Sequence, residues 1–190
     1  MELQWYDIRE LTEDAALAVM GMMDETRRRR VADIAGEDDR KRTVAGELLA
    51  RQMLAARLGC PERDVPLSWD ELGKPSVERE GVYVSVSHSG AGAVCVTADV
   101  PVGVDVEVVR SAQEKFMRRV CSQQEMACIR PGDDGDCRRF WEIWTAKEAL
   151  FKLTGKGPLL KLSRFALPER VALDYMEKNG CALTVAAEIL

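Results

Sequence analysis

The sequence predicts an α+β fold made of two similar halves, each a small, mainly antiparallel sheet packed with one long helix. Three observations predict it. Apolar residues recur at helical spacing through two long stretches, about 40–58 and 137–153. Elsewhere the period drops to two, as at Val82, Val84 and Val86. The order strand, long helix, strands then occurs twice, with the two runs meeting near residues 101–103. Halves at 1–101 and 102–190 are expected, although no internal repeat is strong enough to establish a duplication.

Residues 3–8 read as a first strand, and Thr12 as the cap of a helix reaching about residue 23. Arg27-Arg-Arg-Arg30 falls at the end of a second, short helix. Gly36-Glu-Asp-Asp39 breaks and caps, and the long helix follows with an apolar stripe of Val44, Leu48, Leu49, Met53 and Ala56. Gly59-Cys-Pro61 stops it. A short strand at 67–69 precedes a turn at Leu72-Gly-Lys-Pro75. Strands at 82–86, 92–98 and 102–108, separated by turns at 89–90 and 99–101, predict one hairpin-built sheet. Helices follow at 114–120 and from Ser122 to about residue 129. A loop at 131–135 leads to the second long helix, which ends at Gly155, and the tail supplies strands near 161–167, 171–176 and 181–188.

With 190 residues and 46% apolar residues, the chain can bury a proper core. A net charge of -5 argues against bulk binding to nucleic acid or an anionic membrane. There is no apolar run long enough for a bilayer helix and no basic-then-apolar leader at the N-terminus. The six cysteines form no Cys-x-x-Cys pair and are read as reduced core residues of a cytoplasmic protein. With a single histidine, zinc is not expected.

Two stretches carry the chemistry. In Gly103-Val-Asp-Val-Glu107, a strand puts Asp105 and Glu107 on one face, where they repel unless a cation lies between them. In Trp144-Thr-Ala-Lys-Glu-Ala-Leu-Phe-Lys152, a helix offers Glu148 one turn before Lys152. Three carboxylates with open positions suit Mg²⁺ and substrate phosphates, and a lysine beside them suits phosphoryl-type chemistry. The bland readings are a solvated strand face for Asp105 and Glu107, and an ordinary i, i+4 pair for Glu148 and Lys152. His88, between Ser87 and Ser89, is read as lying in a small polar loop suited to contacting an anion.

Taken in order, Gly73-Lys-Pro75, Ser85-Val-Ser-His-Ser89, the two stretches above and Gly155-Lys-Gly157 resemble the 4′-phosphopantetheinyl transferases of the Sfp type. The resemblance is clear over about 27–157 and loose at both ends. It implies a pseudo-dimer of two α/β halves with coenzyme A in the cleft between them, the nucleotide end on the first half and Mg²⁺ (or Mn²⁺) on the second. It implies attack by a carrier-protein serine on the β-phosphate, release of 3′,5′-ADP, and an acyl or peptidyl carrier as partner. Asp105, Glu107 and Glu148 become the metal ligands, and either Glu148 or a water bound to the ion becomes the base. Lys152 neutralises phosphate oxygens, and Asp105 also borders the coenzyme.

The same resemblance gives Arg27, Arg30 and Thr43, with Arg42 beside them, to the 3′-phosphate. The bland reading of the four consecutive arginines is a solvated surface, and the long helix that Arg42 and Thr43 are read as opening would itself favour an anion. Lys74 borders the adenine nucleotide, Ser87 and His88 the phosphates, and Lys147 either contacts those phosphates or flanks them. Glu125 is a helper or simply part of a Ser122-Gln-Gln-Glu125 capping box. Phe116, Met117 and Met126 are either core or an apolar patch for the carrier, with Arg118 and Arg119 as local cations. Holding both halves, the chain is expected to be a monomer. Rival readings are a non-catalytic binder of coenzyme A or carrier protein, and another Mg²⁺-dependent phosphoryl or nucleotidyl transferase.

Overall fold

The first unit, Met1–Asp99, is organised around its long helix. Strand β1 (Glu2–Asp7) leads into helix α1 (Glu13–Met22), whose N-terminus is closed by the Thr12 hydroxyl accepting the Ala15 N–H at 3.2 Å. Helix α2 (Glu25–Ala32) is capped in the same way by Asp24, and places Arg29 and Arg30 in its last turn. Helix α3 (Glu37–Leu58) starts a turn earlier than the sequence suggests. Glu37, Asp38 and Asp39 are not a break but its acidic first turn, which the helix dipole favours. Arg42 and Thr43 therefore sit in the second turn, not at the open amides, and the Thr43 hydroxyl bonds back to Asp39 O at 2.8 Å. Gly59, at φ 67°, ends the helix in the left-handed region that costs glycine little.

Strands β2 (Leu67–Trp69) and β3 (Pro75–Val77) pair as a small antiparallel ribbon around the turn that carries Gly73 and Lys74. Strands β4 (Tyr83–Ser89) and β5 (Gly92–Ala98) form a hairpin, and β1 adds to the other edge, giving the order β1–β5–β4. As the central strand, β5 is buried along its whole length. Helix α3 packs on β4 and β5 through Ala45, Leu49, Ala50, Met53 and Leu54. Ala56, placed in the stripe from sequence, is exposed, because the buried face extends to Leu54 and Ala55 instead.

The structure is a computed structural model that describes residues 1–129, 137–155 and 169–189. The expected loop at 131–135, the Lys156-Gly157 end of the last motif and the strand at 161–167 lie outside the described residues.

The second unit, Val100–Leu190, begins with β6 (Val102–Val108). Here the expectation of one continuous hairpin sheet fails. β6 does not pair with β5; its partner is β8 (Cys181–Glu188), which also pairs with β7 (Val171–Lys178), in the order β6–β8–β7. Residues 99–101 thus carry the chain from one sheet to another. Helices α4 (Glu114–Val120) and α5 (Gln123–Cys128) precede α6 (Arg138–Thr154), which packs on β6 and β8. Gly103 permits that packing: a Cβ there would meet Ala149 O and come within 2.6 Å of Leu153 N. All six cysteines are free; Cys60 is only half-buried and Cys128 is exposed, so these two are not core residues.

Candidate functional site

In the second unit, period-two alternation turns Gly103, Asp105 and Glu107 to one side of β6, and the approach of α6 to Gly103 fixes which element they face. Asp105 is buried at 5% exposure, so the solvated-face reading does not hold for it, while Glu107 is half-buried. From α6, Lys152 reaches across and its Nζ donates to Asp105 Oδ1 at 2.8 Å. The lysine thus donates to the strand carboxylate, and its charge also acts on Glu148 one turn before it.

Glu148 Oε1 is buried with no hydrogen-bond partner. The Glu148 carboxyl is pushed up to about 7, first by burial and then by the Asp105 charge; Lys152 opposes the rise and Glu107 adds to it. A hydrogen-bond acceptor left orphaned among other carboxylates is what a hard cation stabilises. Among the described residues, no three His, Cys, Asp or Glu side chains are gathered closely enough to hold an ion as they stand. The fit to a divalent cation is therefore one of donor chemistry and uncompensated negative charge.

Lys147, directly before Glu148 on α6, is buried at 5% exposure. Its Nζ donates to Val120 O at 2.9 Å and to Glu125 Oε2 at 2.7 Å. Glu125 also closes the expected capping box, accepting the Ser122 N–H at 2.6 Å while its own N–H donates to Ser122 Oγ. Burial works against the ionised Glu125, but Lys147 and Ser122 hold its carboxyl below the usual range. Lys147 therefore ties α4 and α5 to α6, and its ammonium is spent on that link. Phe116, 37% exposed, packs on Phe140 and Trp144 with ring centroids 5.4 and 5.2 Å apart. Met117 is core, and Met126 packs against the same cluster.

The first unit holds two basic groupings. In one, Arg42 of α3 donates to Gly90 O at 2.7 Å and pairs with Asp39 at 2.6 Å. His88 is exposed and lies within β4, opposite Ala93, instead of in a loop after the strand. It joins this grouping through its influence on Asp39, whose carboxyl is held down by the Arg42 hydrogen bond first, then by Arg42's charge, and more weakly by His88. Ser87, one residue earlier in the strand, is buried and turned to the opposite face.

The other grouping joins Arg27 and Arg30 of α2 to the β2–β3 turn. The two arginines line a cavity of about 260 Å³ with Asp24, Trp69, Asp70 and Glu71. Lys74 is exposed in that turn, its N–H donating to Asp70 Oδ1 at 2.8 Å. The predicted residues thus form three local groups: Arg27 and Arg30 with the Lys74 turn; Arg42, Thr43 and His88; and Asp105, Glu107, Glu148 and Lys152. Sequence reasoning missed Glu47, Arg51 and Trp69. Glu47 is fully buried, and a charged i, i+4 pair at Glu47 and Arg51 inside an otherwise apolar helix face was the available signal.

Two family models match this chain. Residues 10–100 match the 4′-phosphopantetheinyl transferase, N-terminal model, and residues 101–182 match the 4′-phosphopantetheinyl transferase superfamily model. Among similar proteins, 4′-phosphopantetheinyl transferase Sfp of Bacillus subtilis is 26% identical over 164 residues, covering 85% of this chain and 73% of the relative. The 4′-phosphopantetheinyl transferase gsp of Aneurinibacillus migulanus is 30% identical, over 75% of this chain and 60% of its own length. A phosphopantetheinyl transferase of a Thraustochytrium species is 32% identical, over 83% of this chain and 62% of its own length. Among the described residues, no helix is long and apolar enough to cross a membrane.

Proposed function

This chain belongs to the 4′-phosphopantetheinyl transferase superfamily, and from that premise we propose that it moves the 4′-phosphopantetheine arm of coenzyme A onto a serine of an apo acyl or peptidyl carrier protein. The reading takes the enzyme to be a cytoplasmic monomer. The observation that carries it is the buried, unpartnered Glu148 carboxyl oxygen beside Asp105. A non-catalytic coenzyme binder has no need of such a destabilised acid.

In the proposed reaction the serine oxygen bonds to the β-phosphorus, the bond from that phosphorus to its bridging oxygen breaks, and 3′,5′-ADP departs. Asp105, Glu107 and Glu148 would hold Mg²⁺, which when bound would neutralise phosphate oxygens and keep the three carboxylates ionised. The serine proton goes to Glu148 or to a water beside it. Lys152, drawn from α6 toward Asp105, supplies positive charge on the same side of the strand. Arg27 and Arg30 take the nucleotide's 3′-phosphate, with Lys74 by the adenine and His88 and Arg42 as further anion contacts. Exposed Phe116, flanked by Arg118 and Arg119, receives the carrier.

The test is the intact mass of apo carrier protein after incubation with this protein, coenzyme A and Mg²⁺, beside an EDTA control. A gain of one phosphopantetheine arm that EDTA abolishes is expected. No gain across acyl and peptidyl carriers, with coenzyme A still bound, would move the reading to a binding protein.

A further inference from the structure

The cavity beside α2 backs onto a buried ion network. Glu47, fully buried in α3, accepts Arg51 Nε at 2.9 Å and Arg27 Nε at 3.4 Å. Arg51 is fixed further by donating to Met22 O at 3.0 Å and Glu62 O at 3.2 Å. One carboxylate therefore faces two guanidinium groups in a largely buried cluster, and the Asp24 charge acts on Arg27 as well. Burial draws Arg27 below its ordinary value, although Glu47 opposes this.

Trp69 determines how that arginine presents itself. The Arg27 guanidinium lies over the indole, 3.9 Å from the ring centroid. The Trp69 Nε1–H is buried without a hydrogen-bond partner, so stacking and strand geometry, not hydrogen bonding, hold the ring. With Nε docked on Glu47 and one face on Trp69, the guanidinium keeps its terminal Nη edge for a ligand, the edge that pairs with phosphate oxygens. Two of the carboxylates on the cavity are already occupied with backbone. Asp24 Oδ1 accepts the Arg27 N–H at 2.8 Å, and Asp70 Oδ1 accepts from Leu72 and Lys74. Glu71 is exposed, and Arg30 is oriented by donating to Asp70 O at 3.1 Å.

We infer that Glu47 and Trp69 are positioning residues that preset Arg27 for a phosphate monoester, so that an uncharged indole controls how well this protein distinguishes coenzyme A from its 3′-dephospho form. The inference rests on the coenzyme reading above. It assigns to Trp69 and Glu47 a part in specificity, acting through Arg27.

Calorimetric titration of coenzyme A and of 3′-dephospho-coenzyme A into the whole protein tests it, using wild type, Trp69→Leu, Trp69→Phe and Glu47→Gln. Wild type should favour coenzyme A. Trp69→Leu should weaken coenzyme A by about tenfold, within the range of a partly desolvated cation–π contact, and leave the dephospho form within about twofold. Trp69→Phe, which keeps a ring face, should recover most of the preference. Glu47→Gln should lose it even where a thermal scan shows a folded protein. An equal loss for both nucleotides in Trp69→Leu would mean a merely structural tryptophan and would overturn the inference. A wild type that binds both equally would do the same. If wild type bound neither, the coenzyme reading itself would fall, and this inference with it.

Discussion

Each unit's long helix carries a glutamate followed four residues later by a cation, and the two pairs behave in opposite ways. In α3, Glu47 and Arg51 close on each other at 2.9 Å, and Arg27 also reaches Glu47, at 3.4 Å. In α6, Lys152 passes over Glu148 and takes Asp105 of the neighbouring strand at 2.8 Å. Glu148 keeps a buried, unpartnered oxygen and a carboxyl lifted to about 7. The same spacing on the same kind of helix thus gives a finished ion network in one unit and an unfinished one in the other. What separates them is the facing element. Arg51 finds backbone carbonyls at Met22 and Glu62, whereas Lys152 faces a strand that presents another carboxylate. A finished network holds structure, and an unfinished one awaits a ligand.

The sharpest way to break the comparison is to remove both glutamates in turn. Glu47→Ala strands two arginines that are mostly out of water, and it should cost about 3–5 kcal/mol in urea unfolding. Glu148→Gln removes a buried charge that has no partner of its own and should leave metal-free stability unchanged or raised. Equal losses in the two variants would erase the distinction.

A second test acts on backbone. Gly103→Ala puts a Cβ against Ala149 O and Leu153 N, where only main-chain movement relieves the overlap. It should cost about 1–3 kcal/mol and push α6 from β6, separating Asp105 from Lys152. Loss of stability with unchanged coenzyme turnover would show that the carboxylates need no close helix.

The third expected effect is on pH. Unfolded, Glu148 titrates near 4.5; folded, near 7. Between those values the folded chain keeps a proton that the unfolded chain has released, so raising the pH favours unfolding. The contribution is full below about 4.5 and gone above about 7. In EDTA, the Tm of wild type should fall across this window, and Glu148→Gln should flatten that part of the profile. The same slope in both proteins would place the titration on another group.

The fold was legible where it depends on local pattern. Alternating valines bounded β5 and β6, and Thr12, Ser122, Gly59 and Gly155 marked helix ends. Strand order was not legible, because β6 joins β8 from the far end of the chain and no turn residue between β5 and β6 announces it. The candidate site divides in the same way. Period two aligns Asp105 with Glu107, and the helix motif supplies Glu148 and Lys152. The choice Lys152 makes between two carboxylates is a tertiary matter, as is the burial of Lys147 on Glu125. Helical spacing alone leaves such choices open. Trp69 carried no signal at all, since only the packing of β2 against α2 reveals that its ring underlies an arginine.

A third i, i+4 pair sets the lower limit of the comparison. Glu114 and Arg118 of α4 pair with both side chains about two-thirds exposed. Water screens both charges, so Arg118→Ala should move stability by no more than about 0.5 kcal/mol. Its effect belongs to encounter instead of folding. Arg118 stands two residues from the exposed Phe116 ring, and a cation there attracts an acidic carrier over roughly a Debye length, about 10 Å at 0.1 M salt. The variant should therefore raise KM for the carrier a few-fold at low salt, with kcat and Tm unchanged, and the difference should fade as salt is added. A KM that does not respond would move carrier docking away from α4, and the exposed Phe116 face would then need another explanation.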